Sequence, residues 1–494
     1  MKAGGVALLT AGIAAGVALA LSVNSWQESG NAVAQVAAQL AREAGAEGPR
    51  YVPGTSNEIT LSFAPVARRV QPAVVNIFTA RVVRQRGSLS PFFSVFDSEP
   101  RVANSLGSGV IVDGKGLIVT NNHVVQGAEQ IVVVLADRRE YPAKVVFSEA
   151  KLDLALLKVD PKGDELPTAR LGDSDRAQVG DLVLAVGNPF GVGQTVTQGI
   201  VSAVARTGIG VSDAQFFIQT DASINQGNSG GALVAMNGDV VGINTAILTG
   251  GQNGGSIGLG FAVPSNMVKI FMRAAESGKM VTSWIGAEGE ALAADTAKAA
   301  GLDRPAGALL TGVTAGSPAA KAGLRPGDIV YAIDGKEVLD PSSLRYRISS
   351  LPVGSSVTLT VIRNRQAMNV SLTLVAPPEN PPRQLTQLPA GSILAGISIA
   401  NLSPALAQEL GAGLPEKGVV VVEVPRGAPA ARTGFPRPGD IVESVNGESV
   451  DSVNDLRDAV SGSPNRTLFG IDRGGQRVEC LFQAPRTFAC RAAA

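Results

Sequence analysis

Histidine is nearly absent: this chain of 494 residues carries one, His123. Cysteine is almost as scarce, with Cys480 and Cys490 close to the C-terminus. One histidine and two late cysteines cannot assemble the usual zinc ligand set. No Gly-x-x-x-x-Gly-Lys-Ser/Thr loop occurs, which excludes the usual triphosphate cradle, and no cofactor is expected. An excess of charge is also missing. Lys+Arg and Asp+Glu both number 42, so nothing favours nucleic acid or another strongly charged partner. Aromatic residues make up only 4%, whereas Gly (58) and Pro (29) are plentiful, a balance that suits loop-rich β domains. Sparse thiols are a weak signal of compartment, although the pair is compatible with one disulfide in an oxidising space.

What is present divides the chain into segments. Lys2 precedes an uncharged run, Gly4 to Val23, so residues 1–27 read as a signal peptide or a membrane anchor. The run is long for a signal core and just long enough to span a bilayer. Ala18-Leu-Ala20 and Ala32-Val-Ala34 both offer small-residue cleavage sites, and alanine and glycine outnumber leucine in the run. The expectation is a processed periplasmic protein, attached to the membrane only if the segment is uncleaved. Residues 28–58 read as a spacer. From 59 to 278, short apolar runs alternate with turn signals, among them Val74–Phe78, Gly109–Val112, Leu117–Val119, Ile131–Leu135, Leu182–Val186 and Val240–Ile243. Runs of this length and spacing predict a mostly β unit, sandwich or barrel. Only Pro264 to Ser277 reads as helix, with proline near its start.

The remainder repeats itself. Ser317-Pro-Ala-Ala-Lys-Ala-Gly-Leu-Arg-Pro-Gly-Asp-Ile-Val330 returns, with one insertion, as Ala428-Pro-Ala-Ala-Arg-Thr-Gly-Phe-Pro-Arg-Pro-Gly-Asp-Ile-Val442. Asp334-Gly335 and Asn446-Gly447 follow at matching offsets and predict two-residue hairpins. Two copies of one domain are expected, at 279–376 and 392–494. The proline-rich stretch 377–391 reads as a semi-rigid linker between them.

Three windows carry chemistry. In Gly227-Asn-Ser-Gly-Gly231 a serine sits between residues that tolerate tight turns and close backbone approach. Ser229 suits a hydroxyl nucleophile, and the N–H groups of Gly227 and Ser229 could converge on an oxyanion. Taken alone, such a run is as often a plain turn. A serine nucleophile needs a general base, commonly histidine, and His123 lies in Thr120-Asn-Asn-His-Val-Val125. A lone histidine is ordinarily a core or surface residue. Asp153 interrupts the apolar run Leu152-Asp-Leu-Ala-Leu-Leu-Lys158, where a buried carboxylate requires a partner such as an imidazole N–H. The order His, Asp, Ser is that of the chymotrypsin-type triad.

Together these windows resemble the HtrA/Deg (protease Do) family of envelope serine endoproteases, from about residue 60 to the C-terminus. The resemblance implies a chymotrypsin-like double β-barrel followed by two PDZ domains, with His123, Asp153 and Ser229 catalytic. It implies that Trp284-Ile285-Gly286-Ala287 and Leu394-Ala395-Gly396-Ile397 are the loops that receive peptide carboxylates. Arg206 matches the arginine that relays PDZ occupancy to the site, and Arg81–Arg101 the long loop that reaches neighbouring subunits. Expected partners are unfolded polypeptides, C-terminal peptides and further copies of the chain as trimers or multiples of trimers. Two competing readings are a chaperone or peptide-binding scaffold with latent proteolysis and a membrane-anchored regulatory protease.

Overall fold

A computed structural model describes residues 62–83, 101–188, 194–206, 216–225, 227–249, 256–410, 418–461, 466–483 and 487–492. The candidate signal or anchor, Gly4–Val23, and most of the Arg81–Arg101 loop lie outside the described residues. No described helix is long and apolar enough to cross a membrane.

Short strands that each bury one face can cover it by packing two sheets or by curling, and here they close into two barrels. The first comprises β1 (Val74–Val83), β2 (Arg101–Asp113), β3 (Leu117–Thr120), β4 (Gln130–Val134), β5 (Glu140–Glu149) and β6 (Leu154–Val159), hydrogen-bonded in the order β1-β2-β3-β6-β5-β4. The second comprises β7 (Leu182–Gly187), β8 (Thr195–Arg206), β9 (Phe217–Thr220), β10 (Ala232–Ala235), β11 (Val240–Thr249) and β12 (Ser256–Pro264), in the order β10-β11-β12-β9-β8-β7. Closure leaves no edge strand to recruit another chain. Ile77, Ile111, Ile118, Val133 and Leu157 fill the first barrel, and Val183, Val201, Ile218 and Leu233 the second. The strands expected from apolar runs are all present, and Asp113-Gly-Lys-Gly116 turns between β2 and β3.

The predicted helix spans Ser265–Ser277 and ends at Gly278, whose φ of 73° suits a residue without a Cβ. Its buried face carries Met267, Val268, Ile270 and Phe271. The Phe271 ring packs 5.3 Å from that of Phe147 on β5, so the helix that follows the second barrel clamps the first.

The first repeat packs with the barrels as one unit, and the second, from Ala376 onward, belongs to a separate unit. The stretch 377–391 packs with the second unit instead of hanging free: Ala405 N–H donates to Pro378 O (3.2 Å) and Asn401 Nδ2 to Pro382 O (2.9 Å). Both repeats turn at the expected hairpins, with positive φ at Asp334-Gly335 and Asn446-Gly447. The repeated Arg-Pro-Gly-Asp has a structural reason. Asp328 takes both prongs of Arg363 (2.6 and 2.7 Å) and the Arg325 N–H (2.8 Å). Asp440 does the same with Arg473 (2.7 Å for each prong) and the Arg437 N–H (2.8 Å). Both aspartate side chains are 2% exposed, so each pair locks a turn to a distant strand with its charges matched.

Cys480 and Cys490 are bonded and face each other across strands Gln476–Gln483 and Thr487–Ala492. The final strand is thereby stapled to its neighbour. Replacing Asp440 with alanine strands Arg473 and the Arg437 amide. We expect a loss of about 3 kcal/mol, which lowers the melting temperature of the second unit by on the order of 10–20 °C. Calorimetry of the full chain should show that transition moving while the other holds.

Candidate functional site

The site lies where the first barrel meets the second. His123 stands in the one-turn helix Asn122–Val125 directly after β3, and Asp153 directly before β6. Because β3 and β6 are paired neighbours, residues at these two ends are brought side by side. Asp153 adopts φ 52°, a left-handed conformation uncommon for a residue with a side chain. That turn lets its backbone carbonyl accept from Asn122 N–H (3.1 Å) and Asn121 Nδ2 (2.9 Å).

Its carboxylate is held on both oxygens. Oδ1 accepts the His123 backbone N–H at 2.9 Å, and Oδ2 lies 2.7 Å from the His123 ring nitrogen Nδ1. Thr245 of β11 donates its hydroxyl to the same Oδ2. The carboxylate is mostly buried, at 15% exposure, whereas the imidazole is half open to solvent at 50%. With Nδ1 facing the acid, Nε2 is the nitrogen left for other work.

Ser229 arrives from the second barrel, in the turn that leads into β10. Its hydroxyl donates to the Thr245 carbonyl oxygen at 3.2 Å. The structure therefore brings His123 and Asp153 into direct contact and joins Ser229 to them through Thr245, which touches the acid with its side chain and the serine with its backbone. The turn is shaped by glycine. Gly227 has φ 107°, and a Cβ on Gly230 would stand 2.1 Å from the Ser108 carbonyl oxygen. The N–H groups of Gly227 and Ser229 donate to no other described residue, as an oxyanion site requires.

Ser108, fully buried on β2, ties this turn to the first barrel. Its N–H donates to Ser229 O at 2.8 Å, and its hydroxyl donates to Gly227 O and accepts the Asn188 N–H at 2.8 Å. Its carbonyl takes the Thr120 hydroxyl at 2.6 Å. Neither Ser108 nor Thr245 was singled out from sequence. The local sequence Gly107-Ser-Gly109 on β2 marks a serine between glycines but does not name its partners.

The peptide-loop residues fall into two situations. In the first repeat, Trp284 N–H donates to Val375 O (2.8 Å), while those of Ile285 and Gly286 donate to no other described residue. Strand Ala287–Ala291, which follows them, stands at the edge of its sheet beside helix Pro341–Ser349. In the second repeat the loop differs from the expectation of an open carboxylate cradle. Gly396 N–H is spent on Leu388 O (3.0 Å), Ile397 N–H on Leu394 O (3.3 Å) and Ala395 N–H on Ser392 O (3.2 Å). Arg206 ends β8, its backbone opposite Phe217, and its side chain lies outside the described residues.

One further contact joins the first repeat to the barrels. Tyr346, on the helix Pro341–Ser349, packs its ring 5.2 Å from that of Phe216 and places its hydroxyl 3.0 Å from Asp175 Oδ1 and 3.3 Å from Ser174 Oγ. Burial, together with the Asp175 charge, holds the Tyr346 phenol well above its ordinary pKa. Lys336 (3.5 Å) and Arg347 (3.9 Å) of the repeat pair with the same aspartate.

Two closed barrels with this site at their seam, followed by the repeated fold, define a trypsin-like serine peptidase with two PDZ domains. Family models agree: a trypsin-like peptidase domain matches residues 107–243, and a PDZ domain matches 310–363 and again 420–469. The chain is 38% identical over 454 residues to the periplasmic serine endoprotease DegP of Escherichia coli K12, covering 85% of this chain and 92% of that one. It is likewise 38% identical over 430 residues to the periplasmic pH-dependent serine endoprotease DegQ of the same strain, covering 85% and 91%. A solved structure titled HtrA-type protease AlgW with decapeptide is 41% identical and covers 64% of this chain and 99% of its own, at a TM-score of 0.45. The chain belongs to the DegP (HtrA) family of serine endoproteases.

Thr245→Val removes the hydroxyl on Asp153 and keeps the side-chain volume. Losing a hydrogen bond to a charged group costs about 1.5–3 kcal/mol, so we expect turnover to fall about 10- to 100-fold, with Thr245→Ser restoring most of it. Steady-state kinetics on a denatured protein substrate, with KM unchanged, checks this.

Proposed function

We propose that the protein is a periplasmic endopeptidase that cleaves unfolded polypeptides, with Ser229 as nucleophile, His123 as general base and Asp153 as the group that orients it. The observation that carries this reading is the Asp153 carboxylate, shared between His123 Nδ1 at 2.7 Å and Thr245, whose carbonyl holds Ser229 Oγ. In the reaction, Ser229 Oγ leaves Thr245 and bonds to the scissile carbonyl carbon as its proton passes to His123 Nε2. The oxygen of the tetrahedral adduct takes the N–H groups of Gly227 and Ser229, a pair whose members are each worth about 3–4 kcal/mol in comparable sites. His123 then hands its proton to the departing amine, and water attacks the acyl-serine by the same path in reverse. Asp153 keeps the imidazole in the tautomer with Nδ1–H and balances the imidazolium.

The periplasmic location is supported by the names of both relatives and by the bonded Cys480–Cys490 pair, which an oxidising space preserves. The first PDZ domain is proposed to capture apolar C-termini as a strand on Ala287–Ala291, with the carboxylate on Ile285 and Gly286 N–H. Arg206 is proposed to pass that occupancy to the site. Its backbone partner Phe217 adjoins Phe216, which packs on Tyr346 of the PDZ domain. Protomers are proposed to join as trimers or multiples of trimers, a reading that rests on kinship and that light scattering tests.

Ser229→Ala and His123→Ala should each lower turnover on the order of a millionfold, and Asp153→Asn by about 10⁴. A fluorophosphonate should label Ser229 alone; label on another serine would dismiss the assignment. Peptides with free apolar C-termini should bind at least about tenfold more tightly than amidated ones, because a charge-assisted contact is lost. They should also speed cleavage in the parent but not in Arg206→Ala. Equal affinity of the two peptide forms would remove carboxylate capture.

A further inference from the structure

The edge strand of the second PDZ domain is already occupied. Thr386–Gln387 pairs antiparallel with Ser398–Asn401, in the register Thr386 opposite Ile399 and Gln387 opposite Ser398. The pairing extends on both sides: Asn401 N–H donates to Arg383 O at 2.7 Å, and Leu388 N–H to Ile397 O at 2.9 Å. The segment runs toward the loop 394–397, and at Leu388 its carbonyl oxygen receives the Gly396 N–H at 3.0 Å. Leu388, 2% exposed, belongs to the domain's buried core together with Leu394 and Ile397 of the loop and Val453 and Leu456 of the helix Val453–Val460. Upstream, Gln384 Nε2 reaches Asn454 Oδ1 on the helix Val453–Val460 at 3.0 Å. Leu385, with the opposite parity, is 63% exposed.

These are the physical elements of strand capture by a PDZ domain: an added antiparallel strand, a carbonyl oxygen on the loop N–H, and a final apolar side chain in a pocket beside the helix. A hairpin closing its own sheet would need the pairing alone. The corresponding edge strand of the first copy, Ala287–Ala291, pairs on one side only among the described residues. The occupying segment is also anchored from behind. Arg383 binds Glu379 and Glu409, each at 2.8 Å, and these carboxylates hold its guanidinium well above its ordinary pKa.

We propose that residues 383–388, in the linker between the two PDZ domains, are a tethered ligand of the second domain. Its groove takes extended segments with a leucine-sized residue at the anchoring position, and an outside chain enters only by displacing the linker. A short tether supplies an effective concentration on the order of 1 mM, so a linker of intrinsic Kd about 10 μM weakens outside binding about 100-fold. The inference adds to the peptide capture proposed for the first domain and stands apart from it in the test.

The probe is a fluorescent hexapeptide, Arg-Gln-Leu-Thr-Gln-Leu, with a free C-terminus, titrated against the full chain carrying Ser229→Ala so that it is not cut. Adding Leu388→Ser empties the pocket and should add one binding site per chain, whatever the starting number. The starting number reports on the first domain; the increment reports on the second. Hydrogen exchange at Ile399–Asn401 should speed up in the variant and slow again with peptide, which mere loosening of the fold would not produce. Should Leu388→Ser fail to fold, Thr386→Pro withdraws an N–H from the strand and should give the same increment. An unchanged site count in a folded variant, or a second site of equal affinity already open in the parent, would overturn the proposal.

Discussion

A carboxylate at the seam of two barrels is costly to bury, and Asp153 is accepted there because both of its oxygens accept hydrogen bonds. Its oxygens take an amide, an imidazole and a hydroxyl, and its carbonyl takes two more N–H groups. The first barrel supplies all of these donors except the hydroxyl, which comes from Thr245 in the second. A charge that needs both halves for its solvation also holds both halves in register. The left-handed turn at Asp153 is the conformational cost, of order 1–3 kcal/mol. The surrounding hydrogen bonds offset it.

Much of this was legible in advance, for particular reasons. The barrel strands announce themselves as apolar runs of four to six residues between turn signals, such as Leu182–Val186 before Gly187. His123, Asp153 and Ser229 stand in local windows whose residue types are unusual where they occur. Ser108 and Thr245 were not legible, because their partners lie across the seam, more than a hundred residues away for Ser108 and Gly227. Nothing local marks a threonine in an apolar strand as a donor to a distant carboxylate.

The linker teaches a related lesson. Proline richness in 377–391 argues for a stiff segment, but composition cannot say whether such a segment lies on a surface or in solvent. What fixes it is the buried Leu388 and the ion pairs of Arg383, one to Glu379 within the stretch and one to Glu409, 26 positions further along. The two PDZ copies thus share a folding core, including the Asp–Arg lock of each, while their edges differ. In one copy an edge strand pairs on one side only among the described residues; in the other the chain has laid itself down.

Ser108 has a consequence for timing. The turn that carries Ser229, the proposed nucleophile, belongs to the second barrel, yet the carbonyl oxygens at Gly227 and Ser229 are fastened to the first. A chain in which only one barrel has formed lacks either the serine or the histidine, and lacks the brace that shapes the turn between them. On the proposed assignment, such a half-formed chain has no assembled catalytic site. The proposed site is complete only once the two halves have met.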